Sequence, residues 1–237
     1  RVTSGFSDDD ILSIFRKSII ILSAPRSGST LMFEQLSKQG SVWTIGSESH
    51  VVFRLFSHLR AENAALNSMA LSEAHADAKT RSLLRRCFLY GLQNSSGVRY
   101  LEMPPQQRPE SICFLEKTPR NALNIPFLKA VFPASKFIFL HRDPRQVVSS
   151  LIEAWGVGLQ TGRFVTFRDL PNWYLPGWCF LLPRGWQAYR GRSIAEIAAF
   201  QWRASNQAII DGLAPLAKNR WADCSYTDFI TDPKSAI

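Results

Sequence analysis

No stretch of the sequence strings together the roughly 18 to 20 apolar residues of a membrane-crossing helix: residues 19–24 are apolar but few, interrupted by Ser23 and followed by Pro25. A soluble fold is the expectation. Cysteines are scarce and scattered. Cys87, Cys113, Cys179 and Cys224 form no CxxC pair, which argues against a zinc site and defines no disulfide framework, so a reducing, cytoplasmic setting is expected. No internal repeat and no low-complexity tract interrupts the chain, which sets aside solenoids and disordered linkers. Basic residues form no long tract, and aromatic residues crowd one segment instead of interleaving with a basic stripe, which argues against nucleic acid as a partner. The GxxxxGK[ST] phosphate loop of ATP- and GTP-binding proteins is missing as well, for no lysine precedes Ser29 or Thr30.

What is present bounds the answer from the other side. With 237 residues, 46% of them hydrophobic, the chain can bury a sizeable core in one domain or at most two. Lys and Arg outnumber Asp and Glu by 28 to 19, a formal charge of +9, which favours an anionic ligand or surface without choosing between them. A local basic cluster, RSLLRRCF at 81–88, reads as the solvated face of a helix. The first residue is Arg1 and not methionine, so removal of a leader or an upstream domain is one reading of the start.

Hydrophobic periodicity alternates between strand and helix. Residues 19–23 read as a buried strand, and the helix after it runs to about Lys38 with Gly40 as its C-terminal cap. Residues 51–92 are expected to be mostly helical, with Leu55, Leu59, Leu66, Met69, Leu83, Leu84 and Leu92 in the core. After loops at 94–100 and 103–109, residues 112–115 form a short strand ending at EKTPRN, and 122–131 a helix. KFIFLH at 136–141 is β-branched and aromatic and reads as a strand; the next helix starts with Asp143 as N-cap and Pro144 at its first position. Residues 163–192 mix proline, glycine and aromatics without a period and read as a long structured loop or lid. Helix returns at 193–213, where Ser193 and Glu196 make a capping box, and 221–226 is the last candidate strand. The alternation predicts an α/β fold whose central, mostly parallel sheet is covered by helices on both faces.

Ligands of such sheets bind beyond the carboxyl ends of the strands, where the next helix offers unpaired N–H groups and the positive end of its dipole. In PRSGST, residues 25–30, Gly28 lets the backbone approach closely, Ser27, Ser29 and Thr30 add hydroxyls, and Arg26 supplies a permanent cation with a planar fork. A phosphate or sulfate is the expected guest, although a serine-rich loop that binds nothing has the same composition. LHRDPRQVVSS at 140–150 provides a second candidate anion site, with Arg142 at a strand end and Ser149 and Ser150 about two turns into the following helix.

Together these segments resemble the sulfotransferase superfamily, whose members use 3′-phosphoadenosine 5′-phosphosulfate. PRSGST is similar to its 5′-phosphosulfate loop; Arg142 and Ser150, eight residues apart, resemble its 3′-phosphate motif; and EKTPRN resembles the segment that carries a lysine beside the transferred group. The likeness covers residues 18–50, 112–155 and, more weakly, 193–235, where CSYTDFITDP resembles the family's late strand and turn. It implies a P-loop-like α/β fold forming one domain over residues 1–237, with an aromatic insert at 163–192. Arg26 stands where many cytosolic members have lysine and Pro119 where they have histidine, so the pattern is closer to the protein-tyrosine and bacterial branches. The glycine-rich segment that completes the 3′-phosphate site in cytosolic members would lie beyond Ile237. DPKSAI at 232–237 reads as a helix start, so the domain is expected to continue past the end of this sequence.

The resemblance implies donor binding by Arg26, Ser27, Gly28, Ser29, Thr30, Arg142 and Ser150, charge stabilisation by Arg26 and Lys117, and no metal. For the base, GSESH at 46–50 offers Glu48 and His50. Glu48 sits about where the tyrosine and bacterial members keep a catalytic glutamate, while His50 reads equally as a helix-surface residue. The aromatic insert suits a small-molecule or lipid-like hydroxyl acceptor and, equally, a loop that packs on the core; the Arg and Lys excess would suit an acidic peptide. On the residues alone two other classes stay open: a P-loop kinase or nucleotide hydrolase using ATP and magnesium, and a non-enzymatic anion- or nucleic-acid-binding module.

Overall fold

The apolar runs of the sequence become the middle of a sheet. In the computed structural model, which describes residues 3–61 and 67–233, six strands lie in the order β3-β2-β4-β1-β5-β8. They are β1 (Lys17–Leu22), β2 (Val42–Thr44), β3 (Gln93–Asn94), β4 (Cys113–Lys117), β5 (Lys136–His141) and β8 (Trp221–Ser225). Every pairing is parallel except that of β2 with β3. A separate hairpin joins β6 (Val165–Phe167) to β7 (Trp178–Cys179). The helices are α1 (Asp8–Ile14), α2 (Ser29–Ser37), α3 (His50–Phe53), α4 (Ala78–Gly91), α5 (Ile125–Val131), α6 (Pro144–Thr161), α7 (Ile194–Leu213) and α8 (Tyr226–Thr231). Among the described residues no helix is long and apolar enough to cross a membrane.

Alternation along β1 explains why both faces are covered. Ile20 and Leu22 turn to one face and pack with Ile125 and Leu128 of α5 and Ile209 and Leu213 of α7. Ile19 and Ile21 turn to the other, against Met32 and Phe33 of α2 and Phe229 of α8. Beyond β4, helices α1, α4 and α5 close over Phe114, whose ring lies 5.0 Å from that of Phe15 and 5.7 Å from those of Phe88 and Phe132.

Elements with strong local signals stand where the sequence puts them. β5 covers KFIFLH, the Asp143 carboxylate caps α6 by accepting from the Arg145 and Gln146 N–H groups, and Ser193 and Glu196 form the capping box of α7. Other expectations need correction. Helix α2 closes on Lys38 in ordinary right-handed conformation, so Gly40 does not cap it. Residues 51–92 are not one helical region: after the single turn of α3 come 3-10 turns at Ser57–Leu59 and Glu73–His75, and the regular helix begins only where the Asp77 carboxylate accepts from Thr80 N. Leu59, Leu84 and Leu92 are buried and Met69 partly so, whereas Leu55 and Leu83 are 68% and 42% exposed. A helical period drawn across those breaks assigned them to the wrong side. Leu66 and residues 234–237, the end of the expected helix start, lie outside the described residues. β4 runs on through Glu116 and Lys117 because its ladder with β1 continues, Ile20 opposite Glu116 and Ile21 opposite Lys117. The helix expected at 122–131 divides into a 3-10 turn, Pro119–Leu123, and α5.

The aromatic segment at 163–192 folds around the β6–β7 hairpin. Trp178 and Trp186 are buried with Trp155 of α6 and Phe200 of α7, in a cluster of their own. Its polar anchor is Gln201, wholly buried: Oε1 accepts from Trp155 Nε1 at 2.9 Å, and Nε2 donates to the carbonyls of Cys179 at 2.8 Å and Leu181 at 2.9 Å. Gln201→Leu would take their partner from Trp155 Nε1 and the Cys179 carbonyl, each worth about 1–3 kcal/mol when unsatisfied, while the Leu181 carbonyl keeps the Trp178 Nε1 donor at 2.8 Å. A loss on the order of 2 kcal/mol or more is therefore expected in urea unfolding; a loss below about 1 kcal/mol would mean that the insert is held by packing alone.

Candidate active site at the strand ends

Because β4, β1 and β5 are neighbours and parallel, their carboxyl ends deliver three connections to one edge of the sheet. β1 leads through PRSGST into α2, β4 ends on Lys117, and β5 leads through Arg142 into α6. Between them lies a cleft of about 570 Å³ lined by Arg26, Gly28, Ser29, Thr30, Glu48, His50, Arg142 and Ser150, with Phe164, Phe180 and Leu181 of the insert as an apolar wall. Two of the predicted residues do not line it directly. Ser27 is buried beneath the loop, and Lys117, 7% exposed, reaches the cleft through its ammonium group.

The loop turns sharply. Arg26 has φ 70° and Gly28 φ 94°, both in the left-handed region. Glycine is required at 28 for a second reason: a Cβ there would overlap the ring of Tyr226, at the start of α8. The same ring carries the Arg142 guanidinium at 4.4 Å from its centroid, so Tyr226 spaces the first loop from the second cation. Sequence reasoning missed Tyr226; it stood in CSYTDF, but nothing local marks it as a neighbour of Gly28. Arg26 Nε donates to Ser150 Oγ at 3.0 Å, tying the β1 loop to α6, and Arg142 Nε donates to Gln146 Oε1 at 2.9 Å. Among the described residues neither guanidinium is ion-paired to a carboxylate. Two cations without a counter-charge at adjacent strand ends are suited to an anion with two charged groups.

Lys117 is differently placed. Its ammonium donates to Glu48 Oε1 at 2.8 Å and to Thr30 Oγ1 at 3.3 Å. On the other side of the carboxylate, His50 Nδ1 lies 3.3 Å from Oε2, too poorly aligned for a good hydrogen bond but close enough to be felt electrostatically. Burial pushes the Glu48 pKa up; the contacts with His50 and Lys117 outweigh it and hold the carboxyl at about 2. Among the described residues no cluster of His, Cys, Asp and Glu has the makings of a metal centre, and the four cysteines are unpaired thiols.

A cleft with two open guanidiniums, a hydroxyl-rich loop at a helix start and an ammonium–carboxylate pair can hold an oxyanion donor beside a proton acceptor. A profile of the sulfotransferase family matches residues 18–237. This chain belongs to the sulfotransferase family. No curated protein sequence matches it. Among solved structures it is similar to the sulfotransferase domain from the curacin biosynthetic pathway, with 22% identity, 92% of this chain and 70% of that one covered, and a TM-score of 0.51. The sulfotransferase domain of the Synechococcus PCC 7002 olefin synthase follows at 18% identity over 92% and 69%, TM-score 0.49, and sulfotransferase STF9 from Mycobacterium avium at 14% over 93% and 61%, TM-score 0.48. The likeness to the curacin-pathway domain, at 22% identity and a TM-score of 0.51, speaks for the fold alone. The sulfotransferase family transfers sulfuryl groups, and membership leaves the kinase and the non-enzymatic readings without support.

The sign of the Glu48 shift sets a pH window. A carboxyl depressed from its ordinary 4.5 to about 2 contributes stability fully above about pH 4.5, and that contribution is lost as pH falls toward 2. Lys117→Met removes one of the two contacts, with His50 and with Lys117, that hold it there, so the Glu48 carboxyl should titrate nearer its ordinary range in carbon-detected NMR. An unmoved titration in the folded variant would show that the pair does not set the charge of Glu48.

Proposed function

We propose that this sulfotransferase takes its sulfuryl group from 3′-phosphoadenosine 5′-phosphosulfate and passes it to a hydroxyl on a small-molecule or lipid-like acceptor, with Glu48 as base. The observation that carries the reading is the pair of uncompensated guanidiniums, Arg26 and Arg142, in one cleft with the Lys117–Glu48 pair. The residues fit this donor. Arg142 and Ser150 would hold the 3′-phosphate; Arg26, Gly28, Ser29 and Thr30, with Ser27 supporting the loop from beneath, would hold the 5′-phosphosulfate. The donor supplies an activated sulfur and a stabilised bisphosphate leaving group, and the scheme calls for no metal.

In the transfer, the acceptor oxygen forms its bond to sulfur as the bond from sulfur to the 5′-phosphate oxygen breaks. The acceptor proton passes to Glu48, and the leaving oxygen keeps the electron pair beside Arg26 and Lys117. The resting ion pair has a consequence for the base. A carboxylate held at about 2 is a poor proton acceptor. When Lys117 turns its charge toward the anionic donor, its hold on Glu48 weakens and the carboxylate becomes more basic, so base strength rises when the donor is in place. His50, at the other oxygen of Glu48, is suited to orienting it. The wall of Phe164, Phe180 and Leu181 favours an apolar acceptor over an acidic peptide.

Two experiments test these roles. 3′,5′-Bisphosphoadenosine should bind about ten- to hundredfold more tightly than 5′-AMP, the worth of one charge-assisted contact of about 1.5–3 kcal/mol, and Arg142→Ala should erase the difference in calorimetry. Equal affinity in the wild-type protein would rule out the donor assignment. In sulfuryl transfer to a hydroxyl acceptor, Glu48→Gln should keep nucleotide affinity and lose roughly a hundred- to ten-thousandfold in kcat. Lys117→Ala should likewise depress kcat more than nucleotide binding, and His50→Ala should cost much less. A larger loss from His50→Ala than from Glu48→Gln would transfer the role of base to His50.

A further inference from the structure

The scheme uses Lys117 and Glu48 but leaves out the residue beside Lys117 on the same strand. Glu116 turns to the opposite face of β4 and is 2% exposed. A buried carboxyl is costly unless its oxygens are satisfied, and here both are. Oε1 accepts from the Thr118 hydroxyl at 2.6 Å, and Oε2 accepts from Asn121 Nδ2 at 3.0 Å. With its proton committed to Glu116, Thr118 Oγ1 is left as an acceptor, and it receives the backbone N–H of Ser49 at 2.8 Å. Asn121 Nδ2 also donates to Ser49 Oγ at 3.0 Å. Ser49, wholly buried between Glu48 and His50, is thus held by both its main chain and its side chain.

Other hydrogen bonds of the segment that carries Glu48 are local, Gly46 N–H to Thr44 Oγ1 at 3.0 Å and the Val51 and Val52 N–H groups to the Glu48 and Ser49 carbonyls, and these do not tie it to β4. β2 ends at Thr44, a left-handed turn follows at Gly46 with φ 69°, and the first helical residue is His50. Glu48 and Lys117 are 69 positions apart in sequence, yet their contact requires register to within a few tenths of an ångström. Pinning Ser49 to Thr118, the neighbour of Lys117, supplies that register.

We propose that Glu116 is a positioning residue of this active site: acting through Thr118 and Asn121 it clamps Ser49 to the end of β4 and so sets the Glu48 carboxylate on the Lys117 ammonium. The role rests on the reading of Glu48 and Lys117 as base and charge stabiliser. Burial pushes the Glu116 carboxyl above the usual range, and the donors from Thr118, Ser49 and Asn121 draw it back in part, as befits a group kept for its geometry. A glutamine could serve in its place, with its amide oxygen toward Asn121 and its NH₂ toward Thr118, the Thr118 hydroxyl then turning to Ser49 Oγ, which lies 3.1 Å away. A side chain without polar atoms could not.

The test reads the Glu48 carboxyl directly, by carbon-detected NMR from about pH 3.5 to 7, in the wild-type protein and in Thr118→Val, Glu116→Leu and Glu116→Gln. Wild type and Glu116→Gln should stay ionised across the range. Thr118→Val and Glu116→Leu should show Glu48 titrating nearer its ordinary 4.5, with the affinity for 3′,5′-bisphosphoadenosine within about twofold of wild type. Should Glu116→Leu fail to fold, Thr118→Val, which removes the acceptor for Ser49 N–H with little change of shape, carries the test. If the Glu48 carboxyl of folded Thr118→Val titrates as in wild type, the clamp is overturned, whatever the loss of thermal stability. Failure of the donor reading would show instead as equal affinity of the wild-type protein for 3′,5′-bisphosphoadenosine and 5′-AMP, and would leave the Glu48 titration where it is.

Discussion

Ile21 of β1 stands opposite Lys117 of β4 on one side and Ile138 of β5 on the other, so the three parallel strands end on the same edge, β4 at Lys117, β1 one residue later and β5 two residues beyond that. The cleft depends on that register. A one-residue slip of β4 that brought Glu116 to the place of Lys117 would replace the ammonium beside Thr30 with a carboxylate and set Leu115 where Glu116 now meets Asn121. The slip is opposed by packing, since Phe114 and Leu115 would change faces together with the charged pair, and Phe114 is the ring around which Phe15, Phe88 and Phe132 assemble.

Charge in the cleft is distributed unevenly. Lys117 is neutralised at rest by Glu48, whereas Arg26 and Arg142 touch a hydroxyl, an amide and aromatic faces. Neutral partners orient a guanidinium without cancelling it, which leaves a field for an anion and keeps the forks aimed. Tyr226 links the two halves of that field, filling the space that the missing side chain of Gly28 leaves and supporting Arg142 on its face.

The aromatic insert joins the cleft through two strained residues. Phe164 and Phe180 have φ 68° and 65°, their rings stack at 5.1 Å, and the Phe180 N–H bonds to the Phe164 carbonyl at 2.9 Å. Left-handed backbone at a bulky residue is unfavourable, and it persists here because the buried cluster of Trp155, Trp178, Trp186 and Phe200, with Gln201 at its polar point, holds the neighbouring chain. The insert is therefore both core and wall: most of its rings are spent on packing, and Phe164, Phe180 and Leu181 face the cleft.

What could be read from the sequence alone was what is written in short spacings. Strand period, caps such as Asp143 and Ser193, and the strand–loop–helix units that carry Arg26 to Thr30 and Arg142 to Ser150 all rest on residues within a few positions of each other, where backbone geometry leaves few choices. The broken stretch at 51–92 was misread because caps at Ser72 and Asp77 override a period that leucines happen to continue. The pairing of Lys117 with Glu48, the seat of Tyr226 against Gly28, and the Glu116 clamp on Ser49 belonged to tertiary structure. Each joins segments brought together only when parallel strands dock, and a side chain's charge, burial and direction at such a junction are set by neighbours that local sequence does not contain.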